Sequence, residues 1–112
     1  MFKLFLLVAT MSGCSSYNGN WTAKVGSYIS TFQINGDTGF FCYSKGSLTK
    51  IDKIEFSGSV ITSKKGSTEI STIQYARDGV RGEIDNFVLE GDIFYRDDDL
   101  HMASAYCRKV LR

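Results

Sequence analysis

The chain has 112 residues with 13 Lys and Arg against 12 Asp and Glu, a formal net charge of +1. Such balance offers no electrostatic case for nucleic acid, whose binding normally shows as a basic face, and the Arg108-Lys109 and Arg112 tail reads as a solvated end. The length suits one domain able to bury about two-thirds of its unfolded surface, with no proline and eleven glycines placed mostly at predicted reversals.

The N-terminus has the grammar of an export signal. Lys3 supplies a positive n-region, Leu4 to Ala9 an apolar h-region, and Ser12-Gly13 the small residues a peptidase needs beside its cut. The run falls well short of the roughly 20 apolar residues that a membrane-spanning helix needs. Lys3 followed by unbroken Leu and Phe is also poor strand alternation.

Met11-Ser12-Gly13-Cys14 resembles the lipobox of bacterial lipoproteins, and Ser15 to Asn20 resembles their Ser- and Asn-rich tether. Met11 stands where Leu is commoner in that motif. The resemblance implies a diacylglycerol thioether on Cys14, loss of residues 1–13 and acylation of the new amino group. It therefore implies attachment to a membrane through lipid on Cys14, since two or more chains make anchoring effectively permanent. Ser15 beside the lipidated Cys resembles lipoproteins forwarded to the outer membrane of Gram-negative bacteria. The expected organisation is a signal peptide over 1–13, a lipidated tether over 14–20 and a small β domain over 21–112. Lys3 is the only cation in the leader, so the remaining chain is electrically balanced.

With Cys14 committed to lipid, Cys42 and Cys107 remain as an even pair in an oxidising compartment, and we expect them to bond. In the chain-entropy view, closing a loop of about 65 residues stabilises a domain by roughly 4 kcal/mol. A metal or reactive-thiol reading lacks a Cys-x-x-Cys and has only one His to draw on.

Beyond the tether, the dominant period is two. Tyr28, Ser30, Phe32 and Ile34 alternate with Ile29, Thr31 and Gln33 and lead into Asn35-Gly36, a pair suited to a tight hairpin. Gly39 to Ser44 reads as the return strand, with Phe40 and Cys42 on one face and Phe41 and Tyr43 on the other. Ser47 to Ile54 places Leu48, Ile51 and Ile54 three apart behind a capping Ser47, which predicts one helical turn. Ile54-Glu55-Phe56, Val60-Ile61-Thr62 and Thr68 to Tyr75 read as strands joined by Ser57-Gly58 and Lys64-Lys65-Gly66-Ser67. Arg77-Asp78-Gly79 predicts a reversal, Val80 to Leu89 an alternating stretch broken by Gly82, and Ile93-Phe94-Tyr95 a strand before the loop Arg96 to Asp99. Leu100 to Cys107 is expected to be the last strand. The pattern predicts an all-β fold, an antiparallel meander forming a small barrel or a two-layer sandwich.

No constellation names a reaction, so the chain reads as a non-enzyme without a cofactor. His101 is the sole histidine, and no serine lies in Gly-x-Ser-x-Gly. Asp97-Asp98-Asp99 lacks the alternating ligands and Gly of a calcium loop and reads as a solvated tip. Glu83 with Asp85 and Glu90 with Asp92 share faces at strand spacing, as half-polar strands often do. No Gly-rich loop opens a helix to cradle phosphate. Trp21 is expected to plug one end of the fold, the alternative being an exposed binding aromatic.

Two roles follow, a binding or interaction module facing an envelope protein partner, or a structural envelope component. The loops at Lys64-Lys65 and Asp97 to Asp99 are the contact candidates. In size, lipidation and disulfide use, the chain is similar to the small β lipoproteins that inhibit lysozyme, although Ser57-Gly58 is followed by Ser59-Val60-Ile61 without the Tyr of their inhibitory loop.

Overall fold

A computed structural model describes residues 17–72 and 86–112, with the backbone alone at 71 and 72. The leader, Cys14, Tyr75, the Arg77-Asp78-Gly79 reversal, Gly82 and the Glu83 and Asp85 pair lie outside these residues.

Among the described residues nine strands form one antiparallel sheet: β1 Gly19–Val25, β2 Tyr28–Asn35, β3 Thr38–Lys45, β4 Leu48–Ser57, β5 Val60–Ser63, β6 Gly66–Glu69, β7 Ser71–Thr72, β8 Asn86–Leu89 and β9 Asp92–Arg96. The spatial order is β6-β5-β4-β3-β2-β1-β9-β8-β7. The two end strands, β6 and β7, follow one another in the chain with only Ile70 between them. Residues 66–72 thus pair with β5 through their first half and with β8 through their second. The result is a nearly closed up-and-down barrel, the meander anticipated from the period of two.

Each of the first hairpins is made by a two-residue turn whose leading glycine has a left-handed φ, +72° at Gly36 and +62° at Gly46. Glycine adopts that angle without a Cβ penalty, which is why it occupies the first central position of such turns. The turn after β2 sits one residue later than Asn35-Gly36: Asn35 pairs with Thr38, leaving Gly36-Asp37 as the loop. The fold also begins before Trp21, because β1 starts at Gly19 and the Asn18 side chain accepts a hydrogen bond from Gly36 N at 2.7 Å.

Inward residues of alternate parity build the core, with Trp21, Phe32, Ile54, Ile61, Phe87 and Phe94 at its centre. The Phe87 and Phe94 rings stack at 5.2 Å, and Phe32 and Trp21 each approach one of them at 5.1 Å. Full burial of each such side chain contributes roughly 1.5–3 kcal/mol.

The single described helix, α1 Ala105–Leu111, packs outside the barrel against β3. This corrects the expectation of a last strand over Leu100 to Cys107. Leu100 takes φ +60°, which no strand accommodates, and Ser104 caps the helix by accepting from Cys107 N at 3.2 Å. Leu100, Ala103, Cys107 and Leu111 then bury one stripe. The helical turn expected over 47–54 is likewise absent, because that segment is β4, paired with β3 at eight positions from Lys45–Leu48 to Thr38–Glu55. Its apolar spacing of three does not mark a buried stripe, as Leu48 is 58% and Ile51 37% exposed.

Cys42 and Cys107 are bonded, as expected from their parity, with their Cα atoms 5.8 Å apart. The bridge joins the outward face of β3 to α1, and both cysteines are fully buried beneath the helix.

Candidate functional site at the barrel mouth

The two ends of the barrel differ. At one end Tyr17 lies across the opening, its ring 5.1 Å from Phe56 and 6.0 Å from Phe87. The Trp21 indole N–H donates to the Tyr17 carbonyl at 2.9 Å, and the Arg96 guanidinium lies over the Trp21 ring at 4.2 Å. Trp21 therefore plugs this end, as anticipated. Burial raises the Tyr17 phenol above its ordinary pKa, because ionising it there would strand a charge among aromatic rings.

The same end is tied by the acidic loop. Asp97 is 5% exposed; its carboxylate accepts from the Thr22 hydroxyl at 2.8 Å and from Met102 N at 3.1 Å. Thr22 is in turn bonded to Thr31 at 2.8 Å, so two fully buried hydroxyls are satisfied on the outer face of β1 and β2. Asp98 accepts from Asn20 N at 3.0 Å. Asp97 and Asp98 thus pin the C-terminal segment to β1; Asp98 and Asp99 are solvent-exposed as expected of a solvated tip, whereas Asp97 is a buried clasp. His101 is exposed, and its carbonyl accepts from Arg108. Among the described residues no cluster of three His, Cys, Asp or Glu is placed to hold a metal ion.

The opposite end is open. A cavity of about 600 Å³ enters the barrel between the β1–β2, β3–β4, β5–β6 and β8–β9 turns. Its floor is apolar, made by Phe32, Phe41, Ile54, Ile61 and Leu89. One wall is aromatic, with Tyr28 and Tyr43 rings 5.5 Å apart and Phe41 stacked on Tyr43 at 6.2 Å. The Lys45 ammonium lies 4.8 Å above the outermost ring, Tyr28. Towards solvent the inward positions turn polar. Along β4 the inward residues run Ile54, Asp52, Lys50, and the last two approach each other at 3.8 Å.

Lys65, Glu90 and Asp92 complete the rim. Of the residues singled out in the sequence, the structure therefore brings Lys65 and the Glu90 and Asp92 pair to one site. It leaves His101 and Asp97 to Asp99 elsewhere, since the strands that carry the mouth turns run away from the C-terminal segment. Sequence reading missed Tyr28, Tyr43, Lys50 and Asp52 as site residues; their signal is inward parity beyond the apolar stretch of each strand.

An apolar floor beneath a few convergent polar groups, in the mouth of a β-barrel, is a common form of small-molecule site. No helix among the described residues is long and apolar enough to cross a membrane. No protein-family model, no curated protein and no solved structure matches the chain.

Proposed function

We propose that this chain is a lipid-anchored envelope protein of the Gram-negative outer membrane, whose barrel is a non-enzymatic binding module with its ligand site at the mouth. The observation that carries the reading is the asymmetry of the barrel: one end is filled by Tyr17 and Trp21, whereas the other holds a cavity of about 600 Å³. A purely structural barrel gains from filling both ends, since an unfilled apolar floor forfeits packing energy.

The reading also orients the module. Tyr17 sits at the plugged end, and Cys14 precedes it by three residues, a reach of at most roughly 10 Å. A lipid on Cys14 holds the plugged end against the bilayer and turns the mouth away from it. The ligand then arrives from the aqueous side. An inhibitory loop of the lysozyme-inhibitor kind gains no support at Ser57 to Ile61, which is a tight hairpin whose Ser59 carbonyl accepts from Ile70 N at 2.8 Å.

The test is photolabelling of the full chain in its own membranes with a small aliphatic diazirine. Adducts mapped to Phe41, Ile61 or Leu89, and lost in Ile61→Trp, support the mouth as a site. Adducts confined to the outer face, unchanged in that variant, contradict it. Radioactive palmitate that labels the native chain but not Cys14→Ser supports the anchor, and label retained by the variant contradicts it.

A further inference from the structure

The rim charges of the mouth are sorted by wall. Lys50 and Lys65 project from β4 and from the β5–β6 turn, with Asp52 beside Lys50 at 3.8 Å. Glu90 comes from the β8–β9 turn and Asp92 from the start of β9, on the neighbouring arc of the barrel. One arc therefore carries a net positive charge and the next a net negative one, above the same apolar floor. We infer that the mouth recognises a small zwitterion with an apolar body, the chemistry of a short apolar peptide with both ends charged.

A singly charged ligand gains from one arc and is repelled by the other, while its entry strips water from charges that it leaves unanswered. A ligand of both signs answers both arcs at once: its ammonium meets Glu90 and Asp92, and its carboxylate meets Lys50 and Lys65. Its apolar side chains then cover the floor, Phe41, Ile61 and Leu89 among it. Two or three apolar residues are of a size that a cavity of about 600 Å³ accepts.

This inference rests on the mouth being a ligand site, and the experiment separates the two. The full chain in lipid nanodiscs is titrated calorimetrically with the tripeptide Leu-Phe-Leu, with its N-acetyl form, which is only an anion, and with its C-terminal amide, which is only a cation. The free tripeptide is expected to bind at least about tenfold more tightly than either blocked form. Glu90→Lys combined with Asp92→Lys should reverse the order in favour of the N-acetyl form. Circular dichroism of that variant reports its folding independently, and Lys65→Glu, which should shift the preference towards the amide, gives a complementary change of opposite sign. Equal affinities for all three peptides overturn the zwitterion and leave the mouth as an apolar site. Absence of heat for all three overturns the zwitterion, and together with no photolabel at Phe41, Ile61 or Leu89 of the native chain it overturns both.

Discussion

Asp97 shows how a single side chain decides where the fold ends. Its carboxylate is almost fully buried and accepts from one hydroxyl and one backbone N–H of different segments, Thr22 and Met102. Asn in its place keeps the shape but turns an N–H₂ towards one of those donors. Asp97→Asn should therefore destabilise the domain by about 1–3 kcal/mol, the cost of leaving a buried donor unpaired. Urea denaturation of wild type and variant measures it, and an unchanged midpoint would show that the clasp contributes nothing. Gly39 is constrained differently: a Cβ there would overlap the Gln33 carbonyl oxygen on β2, so no larger residue fits at that crossing of strands.

Tyr17 gives a pH dependence whose sign follows from burial. In the unfolded chain its phenol ionises near pH 10.0, whereas in the folded domain desolvation holds the proton on to higher pH. Between those two points the unfolded state binds fewer protons than the folded one. Stability is thus untouched by Tyr17 below its ordinary pKa and falls as pH rises through it. Tyr17→Phe should lose less stability than wild type between about pH 9 and about pH 11. Denaturation midpoints at the two pH values measure the difference, and parallel declines would refute the burial of Tyr17.

At the scale of elements, the strands with a clean period of two were legible from sequence. The opposed faces of β3, Phe40 with Cys42 and Phe41 with Tyr43, stand as that period requires: Phe41 and Tyr43 line the barrel, while on the other face Cys42 lies under α1 and Phe40 is exposed. Two segments misled it for physical reasons. Leu100 to Cys107 satisfies periods of both two and 3.6, and the choice is made by tertiary contacts, the Asp97 clasp and the Ser104 cap, which also bonds Ser44 at 2.8 Å.

Over β4, alternation fails because its inward residues change from Ile54 to Asp52 and Lys50 as the strand leaves the core for the mouth. That break in pattern, which favoured a helical turn, is the trace of the cavity in the sequence. The arcs of charge around the mouth were not legible, since they assemble from turns far apart in the chain.

The helix depends on its covalent tie more than on itself. It has only seven residues, too few to be stable alone in water, and Cys107 bonds it to β3. Replacing Cys42 and Cys107 together by Ala should cost roughly 2–4 kcal/mol. Hydrogen exchange should accelerate first over 105–111 while β1 to β5 keep their protection. A uniform acceleration across sheet and helix would contradict this order.

At the scale of the whole molecule, the proposed function puts attachment and binding at opposite ends of the barrel. Tyr17, three residues after Cys14 in the sequence, lies at the plugged end, and the mouth lies one strand length away, roughly 25 Å for the eight residues of β2 before tilt is counted. A fluorophore placed at the Gly46-Ser47 turn should lie far from a bilayer quencher, and one at the Gly58-Ser59 turn close to it. Equal quenching at both would place the barrel on its side and remove the orientation argued above.

The most direct test of the account is native mass spectrometry of the protein released from its own membranes, compared with Ile61→Trp. We expect a chain that begins at an acylated Cys14 and carries a small noncovalent adduct, with the adduct missing from the variant whose floor is filled. A chain that retains Met1, with Cys14 unmodified and no adduct in either protein, would contradict both the anchor and the site.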